Sequence, residues 1–159
     1  MMPNISYEEI SYFLGSRCLT DSLKDQLLAL EKDIDGILYR GLSFPKQLLK
    51  VGCIIDEWYG SSHWTPDVNV AIDFSLDYIN EDYIEELQEE LGAEVNVVQV
   101  VLWSKDIKGI EVYKIIEALD KTDFLDEKEV TVIGYNFEIR SIHFDSGIYF
   151  VEVAPIKIV

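Results

Sequence analysis

Residues 61–74 read SSHWTPDVNVAIDF, with two serines, a histidine, a tryptophan and a threonine directly ahead of a proline and a short apolar helix. A helix entrance needs far less. Thr65 as capping hydroxyl, Pro66 at the first helical position and Asp67 in the first turn already complete one. Trp64 has an ordinary place in a core, and His63 could be its polar neighbour. Ser61, Ser62 and His63 still add more donors and acceptors than a cap requires. The stretch is therefore a candidate site wall as well as the start of a helix whose Val68, Ala71, Ile72 and Ser75 share one side.

Helical periodicity also marks ISYEEISYFL and TDSLKDQLLALEKD, the second with Leu23, Leu27, Leu28 and Leu30 recurring and Thr20 or Asp21 to cap it. GILYRG reads as a short strand closed by Gly41, FPKQLLK as a brief helix and VGCIID as another strand. YINEDYIEELQEELG continues as an acidic amphipathic helix, with Ile79, Tyr83, Ile84, Leu87 and Leu91 inward and Gly92 at its end. Beyond Gly92, VNVVQVVLW has the β-branched composition of a central strand, and VYKIIEAL reads as a short helix. KEVTVIG, FEIRSIHF and GIYFVEVAPIKIV read as three further strands, with a hairpin signal at Asp145-Ser146-Gly147. Helices early and strands late predict an α+β domain rather than an alternating parallel sheet.

Composition narrows the function classes. The 159 residues suit one domain, residues 1–159, that buries roughly 70% of its unfolded surface. The first residues lack the basic and apolar runs of a signal peptide, and no stretch approaches the roughly 18 apolar residues of a membrane span. Two distant cysteines, Cys18 and Cys53, give neither a disulfide framework nor a metal spacing, so a reduced cytoplasmic setting is expected. Thirteen basic against thirty acidic residues, a net charge of −17, would repel a phosphate backbone and disfavour direct nucleic-acid binding. Such a field keeps a protein soluble, or suits a partner with a basic surface.

Two other fragments carry chemistry. Arg40 ends the strand-like ILYRG, sharing a face with Leu38, where its planar fork could reach a cleft and grip phosphate or carboxylate; an exposed residue or a structural ion pair is the plainer account. Glu127 and Glu129 in DEKEV stand two apart on a chain entering a strand, which predicts side chains on one side. Two carboxylates so placed are tolerable at an exposed strand end. They also suit a site in which one acid faces a developing cation while the other acts as base.

The order Arg40, the Ser/Thr turn at 62–65 and Glu127-x-Glu129 resembles the mono-ADP-ribosyltransferases of the arginine–serine–glutamate class, in particular the compact bacterial and phage-encoded ones. LYRG, SSHWTPDVNVAIDF, EKEV and GYNFEIRSI carry the likeness, with the family's Ser-Trp-Thr turn interrupted here by His63 between Ser62 and Trp64. Ser62 reaching the usual place by a shifted turn and His63 replacing it are both open. The resemblance implies two packed, roughly crossed β-sheets with flanking helices and NAD+ as co-substrate in the cleft between them. It implies Glu129, Glu127, Arg40 and Ser62 as catalytic residues, and Arg40, Gly41, Ser62, His63, Trp64, Thr65 and Phe74 around the dinucleotide. No metal is implied. The acceptor would be a protein side chain, arginine by the Glu-x-Glu pattern, inside the cell that makes the enzyme, such as an infected bacterium. An NAD+ glycohydrolase, or a catalytically silent acidic inhibitor of a basic partner, would present a similar sequence.

Overall fold

The computed structural model describes residues 5–56, 61–77, 81–92, 94–122 and 125–158. In chain order its helices are α1 (Tyr7–Ser16), α2 (Asp21–Leu28), α3 (Val68–Asp77), α4 (Glu81–Leu91) and α5 (Val112–Ala118). Its strands are β1 (Lys32–Asp33), β2 (Leu38–Pro45), β3 (Ile54–Ile55), β4 (Ser61–Trp64), β5 (Val97–Ser104), β6 (Lys108–Gly109), β7 (Val130–Ile133), β8 (Tyr135–Asp145) and β9 (Ile148–Lys157). No helix among the described residues is long and apolar enough to cross a membrane.

The first two helices start where the sequence supplies an oxygen. Ser6 accepts from the Glu9 amide to cap α1, and Thr20 accepts from the Leu23 amide to cap α2, each satisfying a donor with no partner inside its own helix. Ile10, Phe13 and Leu14 of α1 and Leu23 and Leu27 of α2 then bury together with Ile110, Ile115, Ile116 and Ile133. Burial of each such side chain is worth about 1.5–3 kcal/mol, and here it fastens the helical layer to the outer side of β7.

Five strands form the larger sheet in the order β2-β5-β9-β8-β3, antiparallel except for the β5–β9 pair. The predicted strand at VNVVQVVLW is interior, with Val100, Val101 and Leu102 fully buried. β4 pairs with β7 and β1 with β6, and an isolated bridge between Ile110 and Thr131 connects the end of β6 to β7. Trp64, Val130 and Val132 from this smaller layer pack into one core with Leu102, Phe137, Ile139, Val151 and Val153 of the larger sheet. The α+β fold with two packed sheets is therefore observed. Its division along the chain is less sharp than expected, since β1 to β4 come from the first half.

Three local features differ from expectation. The first strand does not stop at Gly41 but runs on to Pro45, because Gly41 sits under α3: a Cβ built there would fall 1.6 Å from the Ala71 carbonyl oxygen and 2.8 Å from the Ser75 amide. Ser43 Oγ donates to the Ser75 carbonyl across the same contact. FPKQLLK shrinks to a 3₁₀ turn, Lys46–Leu48, since Phe44 and Pro45 belong to β2. In α4, Leu91 is exposed beside the left-handed Gly92 (φ 64°), while Ile79 and the side chains of Tyr83, Ile84 and Leu87 lie outside the described residues.

The β8–β9 ribbon closes through Ser146 and Gly147, with φ of 52° and 87°, the two left-handed positions of a tight hairpin turn. Its register shifts between Ile139 and Ser141. Before the shift Phe137 and Ile139 face the core; after it Ile142 does, while Ser141 stays exposed. One extra residue thus re-phases the alternation.

The close approach at Gly41 gives a contrast between two glycines. Gly41→Ala should lower stability by about 1–3 kcal/mol or more, since backbone rather than a movable side chain receives the methyl. Gly15→Ala in α1, where nothing lies within 4 Å of a built Cβ, should raise stability by about 0.5–1 kcal/mol. Urea unfolding of the two variants checks both signs.

Candidate functional site

Four segments distant in sequence meet at a cleft of about 300 Å³: the corner after α1, the start of β2, the β4–α3 junction and the turn before β7. They bring Arg17, Arg40, His63, Glu127 and Glu129 to its wall, with Tyr39, Gly41, Leu42, Trp64, Thr65 and Phe74.

The junction at residues 61–67 is built for this. Tyr39 and Thr65 exchange both main-chain hydrogen bonds, each at 2.8 Å, so β4 is laced to β2 next to Arg40. Thr65 Oγ1 accepts from the Asp67 amide, and Asp67 Oδ1 accepts from the Asn69 amide. Asp67, not Thr65, therefore caps α3, because the helix starts at Val68 and Thr65 is held in the bridge. Alternation along β4 sends Ser62 and Trp64 to one side and His63 to the other. Ser62 is fully buried, accepts from Trp64 Nε1 at 2.9 Å, and is not among the cleft-lining residues. Its hydroxyl spares the buried indole an unsatisfied donor, which would cost about 1–3 kcal/mol.

His63 points instead to the acids. Its Nδ1 lies 3.4 Å from Glu129 Oε2 and 3.5 Å from Thr131 Oγ1, and its ring rests 5.5 Å from that of Phe13. Burial lowers its pKa more strongly than the Glu129 carboxylate raises it, and the Arg17 and Arg40 charges lower it further. The imidazole is therefore neutral at pH 7.

Glu129 is 5% exposed. Burial alone would raise its pKa, but His63 and the Arg17 guanidinium outweigh that and hold it below the ordinary carboxylate value. Arg17 Nη1 stands 2.8 Å from Oε1. Oε2 is buried and makes no hydrogen bond of good geometry to any described group, so this cleft-lining carboxylate keeps acceptor capacity to spare. Glu127 behaves oppositely: partial burial and the neighbouring Glu129 charge raise its pKa, with Arg17 opposing. The two acids do not share a face through strand alternation. Lys128 between them is left-handed (φ 46°) in a turn, and β7 begins only at Val130. The turn still delivers both to the cleft.

Of the expected site residues, Arg40, Gly41, His63, Trp64, Thr65, Phe74, Glu127 and Glu129 share one wall, and Ser62 stands behind it. Arg40 lies near the beginning of β2 rather than at a strand end. Arg17 was not foreseen. An arginine just past a helix gives no sequence signal for an ion pair with a residue more than a hundred positions away.

With this geometry in place, comparison with solved structures is informative. The ADP-ribosyltransferase Vis, the toxin from Vibrio splendidus, superposes with a TM-score of 0.60 at 21% identity in its complex with the M6 inhibitor. Its complex with agmatine gives 0.59 at 20%. The alignments cover 86% of this chain and 55% of Vis. The fold is that of the ADP-ribosyltransferases. No protein-family model matches the sequence, and no curated protein matches it. The chain spans about half the length of the Vis chains it matches.

The opposed shifts of the two acids set a pH signature for stability. Glu129, with its pKa depressed on folding, contributes stability at neutral pH that is lost as pH falls through its folded value. Glu127, with its pKa raised, costs stability once pH rises through its folded value. At pH 7 Glu129→Gln should therefore be less stable than wild type, by about 0.2–1 kcal/mol, the range for an ion pair with a partly exposed arginine. Glu127→Gln should be as stable or more so. The Glu129 difference should fade as pH falls below the ordinary carboxylate pKa of 4.5, and the Glu127 difference should already have faded on the way down to it, which thermal melts from pH 3 to 8 would read out.

Proposed function

We propose that this protein is a mono-ADP-ribosyltransferase that uses NAD+ as co-substrate and transfers ADP-ribose to a guanidinium-bearing acceptor. The carrying observation is the buried carboxylate of Glu129, with Oε2 lacking a hydrogen bond, in one cleft with Arg40. Two arginines and a half-buried second acid in a chain of net charge −17 mark a locally specialised spot rather than a solvated surface. The cleft volume is at the low end for small-molecule sites, enough to enclose one end of a dinucleotide while the rest lies along β2.

Arg40 supports the anionic end: its fork suits a phosphate, a charge-assisted contact worth about 1.5–3 kcal/mol. When the nicotinamide–ribose bond breaks, positive charge develops on the ribose, and a fixed carboxylate is the group that stabilises it. Glu129 takes that role and, through Oε2, accepts from a ribose hydroxyl. His63, neutral and half-buried, holds the carboxylate in orientation. It stands where the resemblance expects a serine, while Ser62 serves the core behind it. Glu127, with its pKa raised, is suited to orient the incoming nucleophile and take its proton. That agmatine, a guanidinium compound, was crystallised with Vis favours a guanidinium acceptor here as well.

Labelled NAD+ incubated with agmatine, and separately with bacterial lysate, tests the proposal. An agmatine adduct and a labelled protein band are expected, with Glu129→Gln reducing both by at least about 10²-fold, the scale of one lost electrostatic group. Glu127→Gln should depress transfer more than NAD+ hydrolysis. Free ADP-ribose without any adduct would make the protein a glycohydrolase, and untouched NAD+ would refute the assignment.

A further inference from the structure

Arg17 is the one charged residue of the cleft that the proposed chemistry does not use. It closes α1 in a left-handed conformation (φ 62°), its amide donating to the Phe13 carbonyl at 2.7 Å. Glycine is the usual occupant of such a position, because a side chain there is strained. An arginine at this corner is therefore held for what its side chain reaches. That side chain crosses to the site and places Nη1 2.8 Å from Glu129 Oε1.

The contact is unlike an enclosed structural pair. The arginine side chain is 36% exposed and the glutamate 6%, so the arginine lies on the open side of the pair, although Nη1 itself is buried against the carboxylate. Nη1 is close in distance but lacks hydrogen-bond alignment, and no other described group pairs with it. Arg17 also offsets the charge of Glu127. A guanidinium thus already sits at the pair of acids that an arginine-like acceptor would have to approach.

We propose that Arg17 is an internal acceptor mimic: its guanidinium fills the seat at Glu127 and Glu129, and an incoming guanidinium binds only by displacing it. The proposal rests on the acceptor class assigned above. It makes Arg17 a determinant of specificity, since an acceptor without a comparable planar cation gains nothing from the exchange. It also keeps the acids neutralised when no target is present.

Agmatine titrated into the full chain by calorimetry, without NAD+, tests this directly. Arg17→Gly suits the left-handed corner and should bind agmatine at least tenfold tighter than wild type. Arg17→Lys, keeping the charge but not the fork, should fall between the two. Equal or weaker binding by Arg17→Gly, in a protein whose melt shows it folded, overturns the proposal. A second measurement needs no folded glycine variant. In ¹⁵N-arginine-labelled wild-type protein, the guanidinium signal absent from Arg17→Lys should move to a solvent-like position as agmatine saturates. A signal unmoved at saturation overturns the proposal equally. NAD+ consumption by the same preparations is scored separately: if no preparation consumes it, the transferase assignment fails while the exchange at the acids is still read from the titration.

Discussion

The double hydrogen bond between Tyr39 and Thr65 is the constraint from which the site follows. It is the point at which the smaller β-layer is stitched to the five-stranded sheet. Because it locks β4 against β2, the residue before Thr65 must enter the core and the residue after Tyr39 must face the cleft. Trp64 goes inward onto Phe137, with ring centroids 4.8 Å apart, and Arg40 goes to the wall. The partner strand β7 then fixes Glu129 one residue before its start, beside His63. Glycine at position 41 lets α3 close over the same junction, so packing and site geometry depend on the same few backbone contacts.

Electrostatics does the rest. A protein this acidic has little reason to bury another carboxylate, and burial alone penalises Glu129. Arg17 and the adjacent His63 reverse the balance, while Glu127, lacking an equal partner, is pushed the other way. Two acids two residues apart therefore acquire opposite protonation tendencies from environment alone, the arrangement by which paired carboxylates divide acid–base and charge-stabilising work.

Much of this was legible in the chain. Thr20, the Leu23/Leu27 spacing, the valine run at 97–101 and Ser146-Gly147 announced their elements because caps, periods and turn residues are local signals. That Arg40, the 62–65 turn and Glu129 meet at one cleft was expected from the family resemblance that their order along the sequence carries, with Ser62 and His63 both open at the middle position. Other features were hidden for identifiable reasons. Whether Ser62 or His63 faces the acids depends on the pairing register of β4, which only β7 and the Tyr39–Thr65 bridge determine. The capping oxygen passed from Thr65 to Asp67 because a tertiary bridge claimed the threonine. Gly41 looked like a strand end, since the helix above it is invisible to local pattern. Arg17 gave no signal at all, as long-range ion pairs leave no periodicity.

The re-phased alternation in the β8–β9 ribbon carries an evolutionary consequence. On either side of the shift at Ile139/Ser141 the strand shows opposite parity, so inward and outward positions are counted from different origins. A single-residue deletion within the distal half of β8 would turn its polar side toward Val151 and its apolar side toward water, whereas a two-residue change would leave the pattern intact. Drift in the length of this ribbon should therefore proceed in even steps, or hide its odd residue at the shift itself, where Arg140 already absorbs one.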